Sequence, residues 1–384
     1  MTSENLPSFK KFEQTIAQKL HSKRVTQVFG PSPSSSFIGR FGYPNVYVGP
    51  MVIYDENLFA NKDLLSNNRN WYGMGMEDVA GLTTSLARGE KTSSIKNLTS
   101  KLVLDIQDNV LSTKSLDLEI KLEKPLSPSL SFSNFEHPTA AAARMETFTL
   151  ADNPVIPRKI DSIMSESVTV REVLPELVGS FDNNYIQKVL SVGVLGEKHA
   201  RKLVPTRWSI TASDKMIADL YIEELKDHAE LSDVLIYENS YVDNHYHVLL
   251  LPGPWEFEQF EAWNLNGKET VEHEYEPFEG RSDYAETEGG GYYAGRLAVG
   301  EFLSKKLKRQ ARAVVFREIG SGYTMALGVW QVRESIRHAF DSKPLSFENK
   351  ESAFSYLKSK LRVDFSNYLN KSNVLQQNKL TNWF

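Results

Sequence analysis

The stretch DVLIYENSYVDNHYHVLLLPG, residues 233–253, decides the fold class. It reads as two β-strands joined by a tight turn near Asp243-Asn244, a β-hairpin. Working outward, the flanking sequence predicts helices at 168–178, 184–195 and 211–226 before the hairpin. After it come a long helix over 291–308, strands at 312–318 and 326–331, and a short helix ending near 340. Helices and hairpins are interleaved with no repeating β-α-β rhythm. This favours α+β over a doubly wound sheet.

Toward the amino end, Phe9, Phe12, Ile16 and Leu20 share one helical face. VFGPSPSSSFIGRFGYPNVYVGPMVIY begins as a Pro/Ser/Gly loop and passes into a strand at Val46, Val48 and Val52. A helix is expected near 76–87, and strands near 101–107 and 116–122. Pro125–Thr139 is Pro/Ser-rich with no period, and is the best candidate for a domain boundary. The chain thus divides into a loop-rich region 1–139, a second α+β region 140–342, and a carboxyl-terminal segment 343–384. In that segment Phe354, Leu357, Leu361 and Phe365 form one helix face. The polar, aperiodic SNYLNKSNVLQQNK that follows reads as a flexible tether.

The composition is that of a folded protein: 384 residues, 41% hydrophobic and 24% charged, with a net charge of -5. A protein-wide basic field is absent, so any nucleic-acid partner must be met by a local basic patch. There is no cysteine, which excludes disulfides, thiolate metal sites and a cysteine nucleophile. No apolar run reaches the roughly 20 residues needed to span a bilayer, and the amino end lacks a signal-peptide core. The expectation is a cytoplasmic protein without a membrane partner.

Four residues near the carboxyl end stand out: Gln377, Leu380, Trp383 and Phe384. The spacing Gln-x-x-Leu-x-x-Trp-Phe resembles the PCNA-interacting peptide (PIP) motif of proteins that dock on the DNA sliding clamp. A short turn would place the three apolar side chains on one side, and Gln377 can donate and accept in a polar cleft. The competing reading folds Trp383 and Phe384 back onto their own domain.

Basic residues gather in GEKHARKLVPTRWSIT, as Lys198, His199, Arg201, Lys202 and Arg207, with Trp208 beside them. They could neutralise phosphates while the indole stacks on a base; a solvated loop reads the same way. In EGGGYYAGRLAVGEFL, Gly289, Gly290 and Gly291 precede a helix carrying Arg296. A helix amino end suits an anion, but a tight turn with close helix packing needs the same glycines. Arg40, in FIGRFGYPNVYVGP, adds a third basic loop.

Metal ligation is weakly signalled. His245 and His247 share a strand face and could bind a divalent cation with a carboxylate, and His273 could join; the spacing fits no zinc signature. Glu256, Glu258 and Glu261 in WEFEQFEAW could hold Mg²⁺, although an amphipathic edge strand with aromatic packing is the preferred reading. No catalytic or dinucleotide fingerprint is present, and nothing identifies an enzyme or a cofactor.

Four long strings taken together resemble the Nre family of archaeal DNA repair proteins. They are FIGRFGYPNVYVGP, LSVGVLGEKHARKLVPTRWSIT, EGGGYYAGRLAVGEFL and REIGSGYTMALGVWQVRE, in family order across residues 30–340. The resemblance implies a DNA-binding repair factor recruited to PCNA and acting with the Uvr excision system, hence nucleoid-associated. A DNA- or nucleotide-processing enzyme delivered by the clamp, with nuclease or phosphate-ester chemistry, is the alternative. Some members carry a four-cysteine zinc site; this chain cannot.

Overall fold

The computed structural model describes residues 26–126, 136–139, 142–265 and 268–377. The chain forms two compact units. The first is Met1–Met216 with Met325–Gly328, and the second is Ile217–Thr324 with Val329–Phe384. Helices and two mixed sheets make an α+β protein, as the sequence predicts.

In the first unit, six strands lie in the order β1-β5-β6-β4-β3-β2. They are β1 (Gln27–Pro31), β2 (Ser36–Ile38), β3 (Asn45–Ile53), β4 (Leu86–Ser94), β5 (Asp117–Leu122) and β6 (Ala142–Leu150). Only the β4–β6 pair is parallel among them. β6 pairs with both β4 and β5, so both sides of Pro125–Thr139 belong to one sheet. The composition shift there marks a connection within a unit, and the observed division falls at residue 216 instead of 139.

The helices of this unit are α1 (Lys62–Ser66), α2 (Met76–Thr83), α3 (Lys101–Leu111), α4 (Arg158–Ser165), α5 (Val170–Val178) and α6 (Asn183–Ser191). The unit boundary falls within α7 (Thr206–Leu225). The strand expected at 101–107 is helix α3. Leu102, Leu104 and Ile106 mimic a period of two, but Ser100 caps the helix and Val103, Ile106, Gln107, Val110 and Leu111 form its buried stripe. Leu104 is left 47% exposed. The apolar stripe at helical spacing prevails over the apparent alternation.

The second unit holds β7 (Val234–Tyr241), β8 (Asn244–Leu251), β9 (Glu256–Leu265), β10 (Lys268–Glu276), β11 (Arg312–Ile319) and β12 (Leu345–Phe347). Their order is β10-β9-β11-β8-β7-β12. The β7–β8 hairpin forms as read, with its turn one residue earlier, at Val242-Asp243; both have positive φ, 46° and 55°. β11 inserts between the two hairpins, antiparallel to β8 and parallel to β9. Central placement buries all but its last residue.

One sheet face meets α8 (Gly290–Glu301) and α9 (Val329–Ala339). Residues 326–328, expected in a strand, are instead the approach to α9. The other face is an apolar core: Leu249, Phe260, Val314 and Phe316 lie with Leu357, Phe365, Tyr368, Val374 and Leu375 of α10 (Lys350–Lys360), α11 (Phe365–Leu369), α12 (Asn373–Gln376) and adjoining turns.

Residues 366–377, expected as a tether, are therefore packed. Two buried carboxylates hold them. Glu318 accepts from the amides of Arg362 and Val363, both 2.9 Å, and from the Tyr368 hydroxyl at 2.8 Å. Glu258 accepts from the Asn373 amide at 2.7 Å and from the Ser372 hydroxyl, and pairs with His273 at 2.8 Å.

Candidate nucleic-acid interface

In the first unit, β2 runs into the loop Gly39–Pro44 and returns as β3. Its base is closed by the Gly39 amide on the Tyr47 carbonyl, 2.7 Å. The Ile38 amide donates to the Thr206 hydroxyl at 3.0 Å, which ties β2 to the start of α7. This link brings the Trp208 ring to Tyr43, centroids 5.3 Å apart at 51°. The rings stay in solvent: Phe41 is 75% exposed, Tyr43 42% and Trp208 45%. The Arg40 guanidinium lies over the Phe41 ring, 4.6 Å from its centroid.

Three arginines of this unit act on one carboxylate. Burial raises the carboxyl of Glu136, while Arg88, Arg207 and Arg40, in that order, pull it down. Arg40 and Arg207, 167 positions apart in sequence, thus act on one carboxylate. Arg88 stacks over Phe37 at 3.9 Å and pairs with Glu90 at 2.7 Å. His137 packs edge-on against Trp71, centroids 5.3 Å apart. Burial depresses its imidazole, and Lys188 and Arg88 add to the effect against its hydrogen bond to the Pro138 carbonyl. Burial also lowers Lys188 to about 8. Its ammonium donates to the Ser66 carbonyl at 2.6 Å and the Pro33 carbonyl at 3.4 Å.

The basic loop splits by role. Lys198, His199 and Lys202 are exposed, with His199 3.8 Å from Glu197. Arg201 is a clip: its guanidinium donates to the carbonyls of Gly196, Met164 and Glu166 at 2.7 to 2.9 Å. Those donors hold the loop against the end of α4, so no phosphate contact is assigned to Arg201.

The glycine segment belongs to the second unit and presents no open anion site. Gly289 has φ 55° and ψ -124°, a conformation closed to side chains. A Cβ on Gly295 would stand 2.0 Å from the Gln259 amide oxygen, so α8 packs directly on β9. Glu261 Oε1 would lie only 2.6 Å from a Cβ on Gly291. The helix end thus faces the protein's own carboxylates. Burial, then Glu261 and Glu274, hold the Glu288 carboxyl well above the usual range, against Gln259 and Arg317.

Arg296 is also spent internally. It is buried, donates to Glu276 through Nε at 2.7 Å and Nη2 at 2.8 Å, and pairs with Asp219 at 2.8 Å. Its expected phosphate contact gives way to this fork.

Among the described residues, no group of three His, Asp or Glu side chains is placed to hold a metal. His245 is engaged at both ring nitrogens, by Ser240 at 2.8 Å and Asp243 at 3.1 Å; His247 pairs with Glu238 at 3.2 Å. β9 is an interior strand, and its alternation puts Glu256 and Glu258 on the face opposite Glu261.

Gln377 is the last described residue; its side-chain oxygen accepts from Arg312 at 2.9 Å. Leu380, Trp383 and Phe384 lie outside the described residues. Arg88 and Glu136 were not singled out from sequence. Glu136 is the one acid in Pro125–Thr139, a signal concealed in a stretch read as a domain boundary.

The sequence is similar to known proteins over nearly its whole length. The family descriptions "Archaeal Nre, N-terminal" and "Archaeal Nre, C-terminal" match residues 2–268 and 276–383. DNA repair protein NreA of Archaeoglobus fulgidus is 33% identical over 86% of this chain and 84% of its own length. NreB of the same organism is 31% identical, covering 92% and 90%. NreA of Haloferax volcanii is 32% identical, covering 97% and 90%. No solved structure matches. With both halves matched in order, the chain belongs to the archaeal Nre family.

Proposed function

We propose that this protein is a DNA repair factor that holds DNA on the basic face of its first unit. In this reading it is recruited to the sliding clamp through Gln377, Leu380, Trp383 and Phe384, and works beside the Uvr excision system at the nucleoid. The observation that carries the DNA contact is local. In a chain of net charge -5, Arg40, Arg88 and Arg207 all act on one half-buried carboxylate, with Lys198 and Lys202 exposed in the loop that leads into α7. Its named relatives are DNA repair proteins.

Two titrations test the two halves separately. DNA affinity should fall steeply with salt, and Arg40→Gln with Lys198→Gln should flatten the slope by about one per lost phosphate contact. A slope unaltered by the pair would refute this placement. Clamp affinity should fall by about 2–4 kcal/mol in Trp383→Ala with Phe384→Ala; equal binding by both chains would remove the clamp from the reading.

The alternative of a phosphate-ester-processing enzyme is favoured by one observation. Glu136, His137 and Lys188, all displaced from their ordinary pKa, lie in the same unit as the arginines. Cleavage of DNA that Glu136→Gln abolishes would select it.

A further inference from the structure

We infer that the first unit takes unpaired bases, and that Phe41, Tyr43 and Trp208 form the platform on which they stack. This rests on the DNA-binding reading above and names its substrate: single-stranded or locally opened DNA in preference to intact duplex.

The three rings come from two distant segments, the Gly39–Pro44 loop and the first turn of α7. They are joined by the Ile38–Thr206 hydrogen bond and the Tyr43–Trp208 contact. Leaving three aromatics this exposed forfeits the burial that such rings ordinarily gain. Aromatic rings gathered in solvent are the kind of surface that binds a partner.

The surrounding charge selects the partner. Arg40 covers one face of Phe41, and Arg207 adjoins Trp208 in sequence, so each ring segment carries a cation beside its aromatic group. Alternating rings and arginines match a polymer of flat apolar units on a phosphate backbone. A duplex offers the phosphates but keeps its base faces stacked on one another, so the rings would have nothing to cover. An unpaired strand offers both. Base–aromatic stacking tolerates every base, because each has a π-face. The platform therefore distinguishes paired from unpaired DNA and reads no sequence.

The test uses the full chain and three labelled 20-nucleotide probes in fluorescence anisotropy at fixed low salt. The probes are a mixed-sequence single strand, its duplex, and a single strand of abasic residues with the same phosphates. Single strand should bind more tightly than either duplex or abasic strand. Phe41→Ala with Trp208→Ala should lower the ratio of single-strand to duplex affinity by about tenfold or more. Trp208→Phe should restore most of the contribution of that position. Unchanged circular dichroism and thermal midpoint would establish that the variants fold.

Equal affinity for the single and abasic strands would overturn the inference. So would a ratio indifferent to the double substitution, while the DNA-binding reading would stand in both cases. Failure of all three probes to bind would remove both.

Discussion

Glu318→Ala tests whether residues 361–377 are a packed part of the second unit. The Glu318 side chain is buried on β11 and receives three donors: the Arg362 amide, the Val363 amide and the Tyr368 hydroxyl. Val363 and Tyr368 are themselves buried, so alanine strands two donors away from water and one at the edge. A stranded buried donor costs about 1–3 kcal/mol. The two stranded donors together cost about 2–6 kcal/mol, a large share of the roughly 5–15 kcal/mol that ordinarily separates a folded domain from its unfolded chain. Glu318→Gln keeps one acceptor oxygen but turns an N–H toward the Arg362 amide, and should cost about 1–3 kcal/mol. Hydrogen exchange measures the effect locally. Peptides covering 361–376 should lose protection in Glu318→Ala by far more than those covering β7 and β8. If 361–376 exchanges alike in wild type and Glu318→Ala, the carboxylate does not hold this segment.

Further outcomes follow from single contacts. Val242 is β-branched at φ 46°, a conformation that costs such a residue of order 1–3 kcal/mol; Val242→Asn should raise the urea midpoint by an amount worth about 1 kcal/mol. Lys188 falls from 10.5 unfolded to about 8 folded. Between those values the unfolded chain binds the extra proton, so stability rises with pH across that window and is flat below it. The gain is at most ~3 kcal/mol, reduced by partial exposure; Lys188→Met should flatten the rise, as paired urea melts at pH 7.5 and 9.5 would measure. Arg296→Met leaves Glu276 buried without its fork and should cost about 3–5 kcal/mol in chemical denaturation. Arg312 holds the Gln377 side chain in competition with any clamp cleft that needs it. Arg312→Lys lacks the second fork nitrogen, and full-chain clamp affinity by calorimetry should rise about two- to tenfold.

The features legible in the sequence share one property: their determinants are local. The 234–251 hairpin carries two apolar strands within reach of one turn, and β5 alternates residue by residue. The features that escaped have partners far along the chain. Tyr368, Val374 and Leu375 look like occasional apolar residues in a polar run until β9 and β11 bring Glu258 and Glu318 to cap the turns between them. Arg296 near a glycine triplet reads alike whether its partner is a phosphate or the Glu276 carboxylate on β10. At the candidate interface, Arg40 and Trp208 were visible because loops rich in Gly, Arg and aromatics are conspicuous. Arg88 was not, because a lone arginine in a strand has no local signature; only the fold turns it toward Glu136.

The balance of charge favours the first unit as the DNA-holding face of the proposed function. In the second unit four arginines of the sheet and its helices are consumed in pairs: Arg296 with Glu276 and Asp219, Arg312 with Glu256, Arg317 with Glu261, Arg337 with Glu301 and Glu334. A paired, buried guanidinium releases no counterions when DNA approaches, because its charge is already neutralised and its surface is not available. Arg40, Lys198 and Lys202 of the first unit are exposed instead, and burial raises the Glu136 carboxyl on which Arg40 acts. The overall value of -5 therefore conceals both buried arginines held by internal carboxylates in the second unit and exposed cations in the Arg40 and Lys198 loops of the first.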